Sequence, residues 1–368
     1  MTENKKVRFA VVGLGHIAQM AVLPAFKHAK EKCELTAVIS DDPEKIEMAR
    51  KTYNVKNAWN YEQYDQALAS GEFDAVYIAL PNDLHKAFAL KAARAGRHIL
   101  CEKPMALNER DCMEMIEAAE KNSVKLMVAY RLHFEKANMK AVEVINSGMI
   151  GQPKVFNSSF TMQVRDGNIR TAAEHGGGPL FDIGIYCINA ARYVFGCEPI
   201  EVTAMMARSN DPRFTEVEES MSAILKFPGE RLASFMCSFG AKDISRYEVM
   251  GTLGKVTLDP AYDYAEELKY TVTIGDKTEE HKVGKHDQFA PELLHFAESV
   301  LENKEPRPNG YEGLNDIRVI HAIRQSALNG TREYLQPVAV GSTPGPELIE
   351  EKPKVNEPKL VNVKSGSR

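Results

Sequence analysis

Val7-Arg8-Phe9-Ala10-Val11-Val12-Gly13-Leu14-Gly15-His16-Ile17-Ala18 is the stretch on which the fold turns. A β-branched, apolar run ends on a glycine pair and passes straight into residues that suit a helix. In that strand-to-helix context Gly13 permits a tight turn, Gly15 lets backbone approach a diphosphate, and Ala18 allows the helix to pack close to the strand. The helix N-terminus then offers unpaired N–H groups and partial positive charge to an anion. The spacing predicts a dinucleotide on an N-terminal Rossmann domain, held at this turn by Gly13, Leu14, Gly15, His16 and Ile17.

Further runs of the same kind follow at Leu35 to Ile39, Ala75 to Leu80, His98 to Cys101 and Lys125 to Ala129. Between them lie helix-like segments such as Asp83 to Ala95 and Asn108 to Glu120, the latter opened by an Asn108 and Asp111 capping pair. Strands that alternate with helices of this length join by right-handed crossovers, which gives a parallel sheet covered on both faces. Residues 1–130 are therefore read as a doubly wound α/β domain.

Beyond about residue 150 the apolar period changes to two. Phe156, Phe160, Met162 and Val164 fall on one strand face and Leu268, Tyr270, Val272 and Ile274 on another, with similar runs at Ile200 to Ala207, Met221 to Phe227 and Leu232 to Phe239. Tight turns such as Pro228-Gly229 and Leu253-Gly254 separate consecutive strands, which predicts a large, open, mainly antiparallel sheet in an α+β domain over 131–340. Two helices close it, one carrying Phe289, Leu293, Phe296 and Val300, the other Leu314, Ile317, Ile320 and Ala327 with a stop at Asn329-Gly330. Residues 341–368, rich in proline and charge, are expected to form an extended or mobile tail.

Composition bounds the function. A chain of 368 residues with 44% apolar content supplies two cores. A net charge of −5, from 46 basic and 51 acidic residues, argues against nucleic acid or an anionic membrane as the main partner. The start moves from a short polar stretch directly into a strand, without the regions of a signal peptide, so a cytoplasmic location is expected. Cys33, Cys101, Cys112, Cys187, Cys197 and Cys237 have no zinc-like spacing; they read as buried free thiols, and no metal is expected. A broad one-sided sheet needs a cover, which predicts a homo-oligomer, dimer or tetramer.

The end of the second strand carries the residue that reads the adenine ribose. Here it is Ser40, followed by Asp41-Asp42-Pro43-Glu44-Lys45. An acidic side chain there accepts from a free 2′-hydroxyl and repels a 2′-phosphate, whereas serine with a nearby lysine suits the phosphate. Asp41 and Asp42 can reach the ribose or can cap the helix that begins near Pro43. NADP(H) is expected ahead of NAD(H), with Ser40 and Lys45 as contacts.

Two further segments stand at carboxyl ends of parallel strands, where open α/β sheets place ligands: Leu80-Pro81-Asn82-Asp83-Leu84-His85 and Cys101-Glu102-Lys103-Pro104-Met105. With the glycine turn they carry a resemblance to the Gfo/Idh/MocA superfamily, whose signature is the Glu102-Lys103-Pro104 run. The resemblance spans Val7 to about Gly330. Gly176-Gly177-Gly178-Pro179-Leu180-Phe181-Asp182-Ile183-Gly184-Ile185-Tyr186 supplies the superfamily's Asp-x-x-x-Tyr variant. That variant, with Tyr130-Arg131-Leu132-His133-Phe134, is similar to the branch of glucose-fructose and aldose-aldose oxidoreductases.

The resemblance implies a sugar substrate oxidised at an aldose C1 to the lactone, with reduction of a second sugar by retained cofactor as a possible coupling. It implies catalytic Lys103, Asp182 and Tyr186, the same three with Arg131 as substrate contacts, and Leu80, Asn82, His85, Glu102, Lys103 and Arg131 as further cofactor contacts. Asp182 and Tyr186, four apart on a helix suggested over 184–195, project from one face. Tyr186 takes the C1 hydroxyl proton while the cofactor takes the hydride. Lys103 is the cation that favours the phenolate and polarises the reacting oxygen, and Asp182 orients the sugar. Arg131 and His133 are contacts to sugar or phosphate, or else packed structural residues. Two alternatives stay open: an NAD(P)-dependent cyclitol or dihydrodiol dehydrogenase, and a dinucleotide-binding sensor without turnover.

Overall fold

Val7–Val12 (β1) is buried at every position but Arg8, as a strand covered on both faces must be. In this computed structural model, which describes residues 5–336, 343–363 and Gly366, the chain divides into two units. The first comprises Met1–Phe134, His286–Leu314 and Glu350–Ser365, the second Glu135–Lys285, Asn315–Ile349 and Gly366–Arg368.

In the first unit β1 joins Cys33–Ile39 (β2), Asn57–Trp59 (β3), Ala75–Ile78 (β4), His98–Glu102 (β5) and Leu126–Ala129 (β6). All pairs are parallel and the order is β3-β2-β1-β4-β5-β6. The order reverses between β1 and β4, and such a switch point opens a crevice at the strands' carboxyl ends. Strand β3 escaped the sequence reading because its three residues are half-buried and carry no period. Asn108 caps the helix Glu109–Lys121 by accepting from the Asp111 N–H at 2.9 Å, a contribution of about 1 kcal/mol.

The helix after the glycine turn, 16–25, contains a widened turn over Ala18–Val22 in which the Leu23 N–H reaches back to the Ala18 carbonyl. Pro24 explains it. A proline has no N–H to give and its ring crowds the carbonyl four residues back, so an extra residue in the turn relieves both problems.

The second unit carries nine strands: Pro153–Gln163 (β7), Glu201–Ala207 (β8), Ser220–Phe227 (β9), Arg231–Ser238 (β10), Gly240–Gly251 (β11), Gly254–Leu258 (β12), Leu268–Ile274 (β13), Lys277–Val283 (β14) and Glu333–Tyr334 (β15). Their order is β14-β13-β12-β11-β7-β10-β9-β8-β15, antiparallel apart from the parallel pair β10 and β7. Alternation along β7 slips after Phe160: Phe156 and Ser158 are buried, then Thr161 and Val164. The partner strand is irregular between Gly240 and Ile244 at the same place, so the single face expected through Met162 does not persist.

The structure refines three sequence expectations. The helix Phe289–Leu301 belongs to the first unit rather than to a second domain running through residue 340. Its buried Phe296 packs on Phe9 of β1, with ring centroids 6.0 Å apart. The tail is extended but docked: Lys352 pairs with Glu31, and Asp287 N–H bonds the Lys352 carbonyl. Of that tail reading, residues 341–342, 364–365 and 367–368 lie outside the described residues. Lastly, of the six free thiols Cys197 is half-buried, with its Sγ accepting from Arg231.

Candidate active site

At the dinucleotide turn the glycines do different work. Gly13 has φ +92° and takes its N–H to the Ile39 carbonyl; a Cβ there would meet the Ala79 carbonyl oxygen at 2.5 Å. Only glycine satisfies both constraints. A Cβ on Gly15, by contrast, would meet nothing within 4 Å, so the loop backbone is open where a diphosphate would lie. That open cradle ahead of a helix N-terminus fits a dinucleotide. The Leu14 side chain is buried, which leaves this residue its backbone to offer, while His16 and Ile17 are half-buried in the first helical turn.

Ser40 is buried at the end of β2, its hydroxyl accepting from the Asp42 N–H. Both acids beside it are engaged. Asp42 caps the helix Pro43–Tyr53 by accepting from the Glu44 and Lys45 N–H groups, and Asp41 accepts from the Tyr61 N–H at 2.8 Å. Lys45 Nζ stands 3.8 Å from Asp42.

The two strand-end segments are tied together by His85. Its ring is fully enclosed, with Nδ1 2.9 Å from the Pro104 carbonyl and Nε2 2.9 Å from the Leu80 carbonyl. Burial lowers its pKa. A ring without exposure cannot meet a ligand, so His85 is a strut between the segments rather than a cofactor contact. It sets the position of Leu80 and of the Lys103-Pro104 step, whose peptide is cis. Asn82, in the turn Asn82–Leu84, and Lys103 are both half-buried at this rim.

Glu102 points the other way. It accepts from Tyr77 Oη at 2.9 Å, and burial raises its pKa. Beneath it Glu292 has no exposure and neither carboxylate oxygen has a partner among the described residues; burial first, and Glu102 second, push it well above the carboxylate range. Arg131, also buried, donates to Gln288 at 2.7 Å. His133 is buried and stacks on Tyr130 with centroids 5.5 Å apart, the packed reading of that residue.

In the second unit Gly176 and Gly178 take left-handed φ of +71° and +107°, and the Gly178 N–H bonds the Arg170 carbonyl. The turn runs into Leu180–Gly184, another widened turn, in which the Ile185 N–H reaches the Leu180 carbonyl before the regular helix Ile185–Phe195. Asp182 therefore lies in the widened turn, three residues before the regular helix begins. Tyr186 is half-buried, its ring 5.6 Å from Phe160 and 5.9 Å from Tyr262.

Asp182 is not alone. Arg170 Nε donates to its Oδ2 at 2.6 Å, and the side chains are 34% and 19% exposed, so the pair faces partly outward. The Asp182 charge raises the Arg170 pKa, and Tyr186 and Tyr264 lie near enough to act on the same guanidinium. A carboxylate, a guanidinium and a phenol thus converge in one unit, a set able to hold hydroxyl groups and move a proton. Arg170 was absent from the sequence reading because it stands in an irregular loop before the glycines, with no spacing to mark it.

Comparison with known proteins agrees with this geometry. The family described as an oxidoreductase family with an NAD-binding Rossmann fold (GFO_IDH_MocA) matches residues 7–130, and the GFO/IDH/MocA C-terminal domain matches residues 138–257. A D-xylose 1-dehydrogenase [NADP(+)] of Haloarcula marismortui is 33% identical over 89% of this chain and 92% of its own. An aldose-aldose oxidoreductase structure from Caulobacter crescentus, complexed with glycerol, superposes with a TM-score of 0.86 at 35% identity, over 90% of this chain and all of that one. A 3-ketoreductase from Actinomadura kijaniata, in complex with NADP and TDP-benzene, superposes at 0.80 with 26% identity over 87% and 98%. With a Rossmann turn shaped for a dinucleotide and both of its domains matched, the chain belongs to the Gfo/Idh/MocA oxidoreductase family.

Proposed function

We propose that the chain is an NADP(H)-dependent sugar oxidoreductase that oxidises an aldose at C1 to the lactone. The observation that carries the proposal is the Arg170–Asp182 pair beside Tyr186, a polar set suited to a polyhydroxyl substrate. The xylose and aldose activities named for the relatives point to the same substrate class. Cofactor choice follows from Ser40, with Asp41 and Asp42 committed to backbone N–H groups and Lys45 available on the same helix.

The bound nicotinamide supplies one thing, a hydride acceptor for C1. Tyr186 takes the C1 hydroxyl proton, and Asp182, steadied by Arg170, accepts from sugar hydroxyls and fixes which carbon is presented. Lys103, at the carboxyl end of β5, donates to the reacting oxygen. In the reverse sense Tyr186 returns the proton to a second sugar's carbonyl, and the nucleotide is retained between the two half-reactions.

A panel of aldoses, cyclitols and dihydrodiols with NADP and NAD tests this, with the product identified. Lactone formed from an aldose with NADP is expected, along with nucleotide that survives gel filtration; turnover of cyclitol or dihydrodiol alone overturns it, and tight cofactor binding without turnover of anything identifies a sensor.

Assembly is a further part of the proposal. Register places Met205, Ile224, Leu232 and Met236 on one face of the sheet, and each is about half exposed or more. We assign this face to a second copy of the chain, since four large apolar side chains in one patch are costly in water. Light scattering reads a dimer or larger for the native chain and a shift toward monomer for Ile224→Lys with Met236→Lys; a monomeric native chain contradicts the assignment.

A further inference from the structure

We propose that Asn362 is a specificity-determining residue of the dinucleotide site, which holds Asp42 and Glu44 in a state compatible with a 2′-phosphate; the inference rests on the NADP(H) reading above. The segment that carries it includes Val361, which lies 342 residues from Gln19 in sequence but is hydrogen-bonded to it.

Gln19, one residue beyond Ala18, is almost fully buried. Its Nε2 donates at 2.9 Å to both the Leu14 and the Val361 carbonyls, and its Oε1 accepts from the Val361 N–H at 2.8 Å. One side-chain amide thus joins the backbone of the glycine turn to the backbone of the tail. The next residue then turns: Asn362 has φ +50°, a left-handed conformation that asparagine tolerates better than most residues.

That turn aims its amide at the ribose-reading loop. Nδ2 donates to Asp42 Oδ2 at 3.0 Å and to Glu44 Oε2 at 3.1 Å. Asp42 Oδ1 already accepts from two backbone N–H groups, so both of its oxygens are occupied. A carboxylate at this point of a Rossmann fold, when free, accepts from a 2′-hydroxyl and repels a 2′-phosphate. By occupying Asp42 and Glu44, Asn362 removes the acceptor that an unphosphorylated ribose would use. It also competes with Lys45 for Asp42 Oδ2, which leaves the ammonium at 3.8 Å and free to turn toward a phosphate.

The test uses the full-length chain and reads dissociation constants for NADP and NAD separately. Asn362→Asp keeps the shape and the left-handed turn but adds a third carboxylate; it is expected to weaken NADP about tenfold and leave NAD within about twofold. Asn362→Gly keeps the turn and removes the amide, and should move the NADP to NAD ratio in the same direction by about threefold. Gln19→Met removes the clasp that holds both the glycine turn and the segment carrying Asn362, and should weaken both dinucleotides, NADP more than NAD. An unchanged ratio in both Asn362 variants, or an equal loss of both nucleotides, overturns the proposal. A native chain that binds neither dinucleotide sinks the cofactor reading on which it rests, a result distinct from an unchanged ratio.

Discussion

The turn Gly13–Ala18 and the turn Gly176–Tyr186 are built alike and work differently. Each is a glycine run with left-handed backbone, and each opens a helix whose early turn is widened by one residue. Such turns recur at functional sites, where they aim groups a regular helix would not. At the first, the features suited to a dinucleotide lie in the backbone: Gly13 is held against the Ala79 carbonyl and Gly15 faces open space. At the second it lies in side chains, with Asp182 and Tyr186 presented next to an arginine recruited from the preceding loop. A binding turn made of backbone tolerates few residue types at its glycines. A turn that works through side chains needs its glycines as well, since a Cβ on Gly177 would meet the Arg170 carbonyl oxygen at 2.5 Å, and depends besides on partners that no spacing rule reveals.

Substitutions can break the two turns separately. Tyr186→Phe should lower kcat by about a thousandfold, the usual scale of a lost general base, with the NADP dissociation constant within about twofold of native. Gly13→Ala should weaken NADP and NAD by about a hundredfold each, since the methyl group and the left-handed φ are both refused; titration of nucleotide binding reads it. Arg170→Met should raise KM for the sugar about tenfold and lower kcat less, because the loss is in holding Asp182 rather than in the proton transfer.

The smallest effect concerns stability. Burial raises the pKa of Glu292 in the folded chain above that in the unfolded one, so in the folded chain Glu292 holds the proton to higher pH. Its contribution is complete below the unfolded pKa of about 4.3 and is lost as pH rises toward the raised folded value. Glu292→Gln has no such loss. Its Tm should exceed the native value by a few degrees at pH 8 and converge on it toward pH 5, read by thermal melts across that range.

How much the sequence disclosed follows the same division. Strands β1, β2, β4, β5 and β6 announced themselves because a strand inside a covered sheet demands an apolar run, Gly13 because only glycine fits there, and Gly15 through its spacing from it. Asp182 and Tyr186 were legible through a motif. Arg170, Glu292 and Gln19 were not: each acquires its environment from contacts distant in sequence or set by an irregular loop. His85 misled for the converse reason, since its place near a strand's carboxyl end suggested a ligand while its ring is enclosed between the Pro104 and Leu80 carbonyls. The tail misled through composition, because proline and charge do not prevent docking when Gln19 and Asp42 supply specific partners.

In the proposed reaction, hydride leaves C1 of an aldose for NADP. Turnover of an aldose deuterated at C1, followed by mass analysis of the reduced nucleotide and of the sugar product, tests it directly. Deuterium is expected on the nicotinamide, with the lactone as product. Deuterium retained on the sugar, with another carbon oxidised, would contradict it.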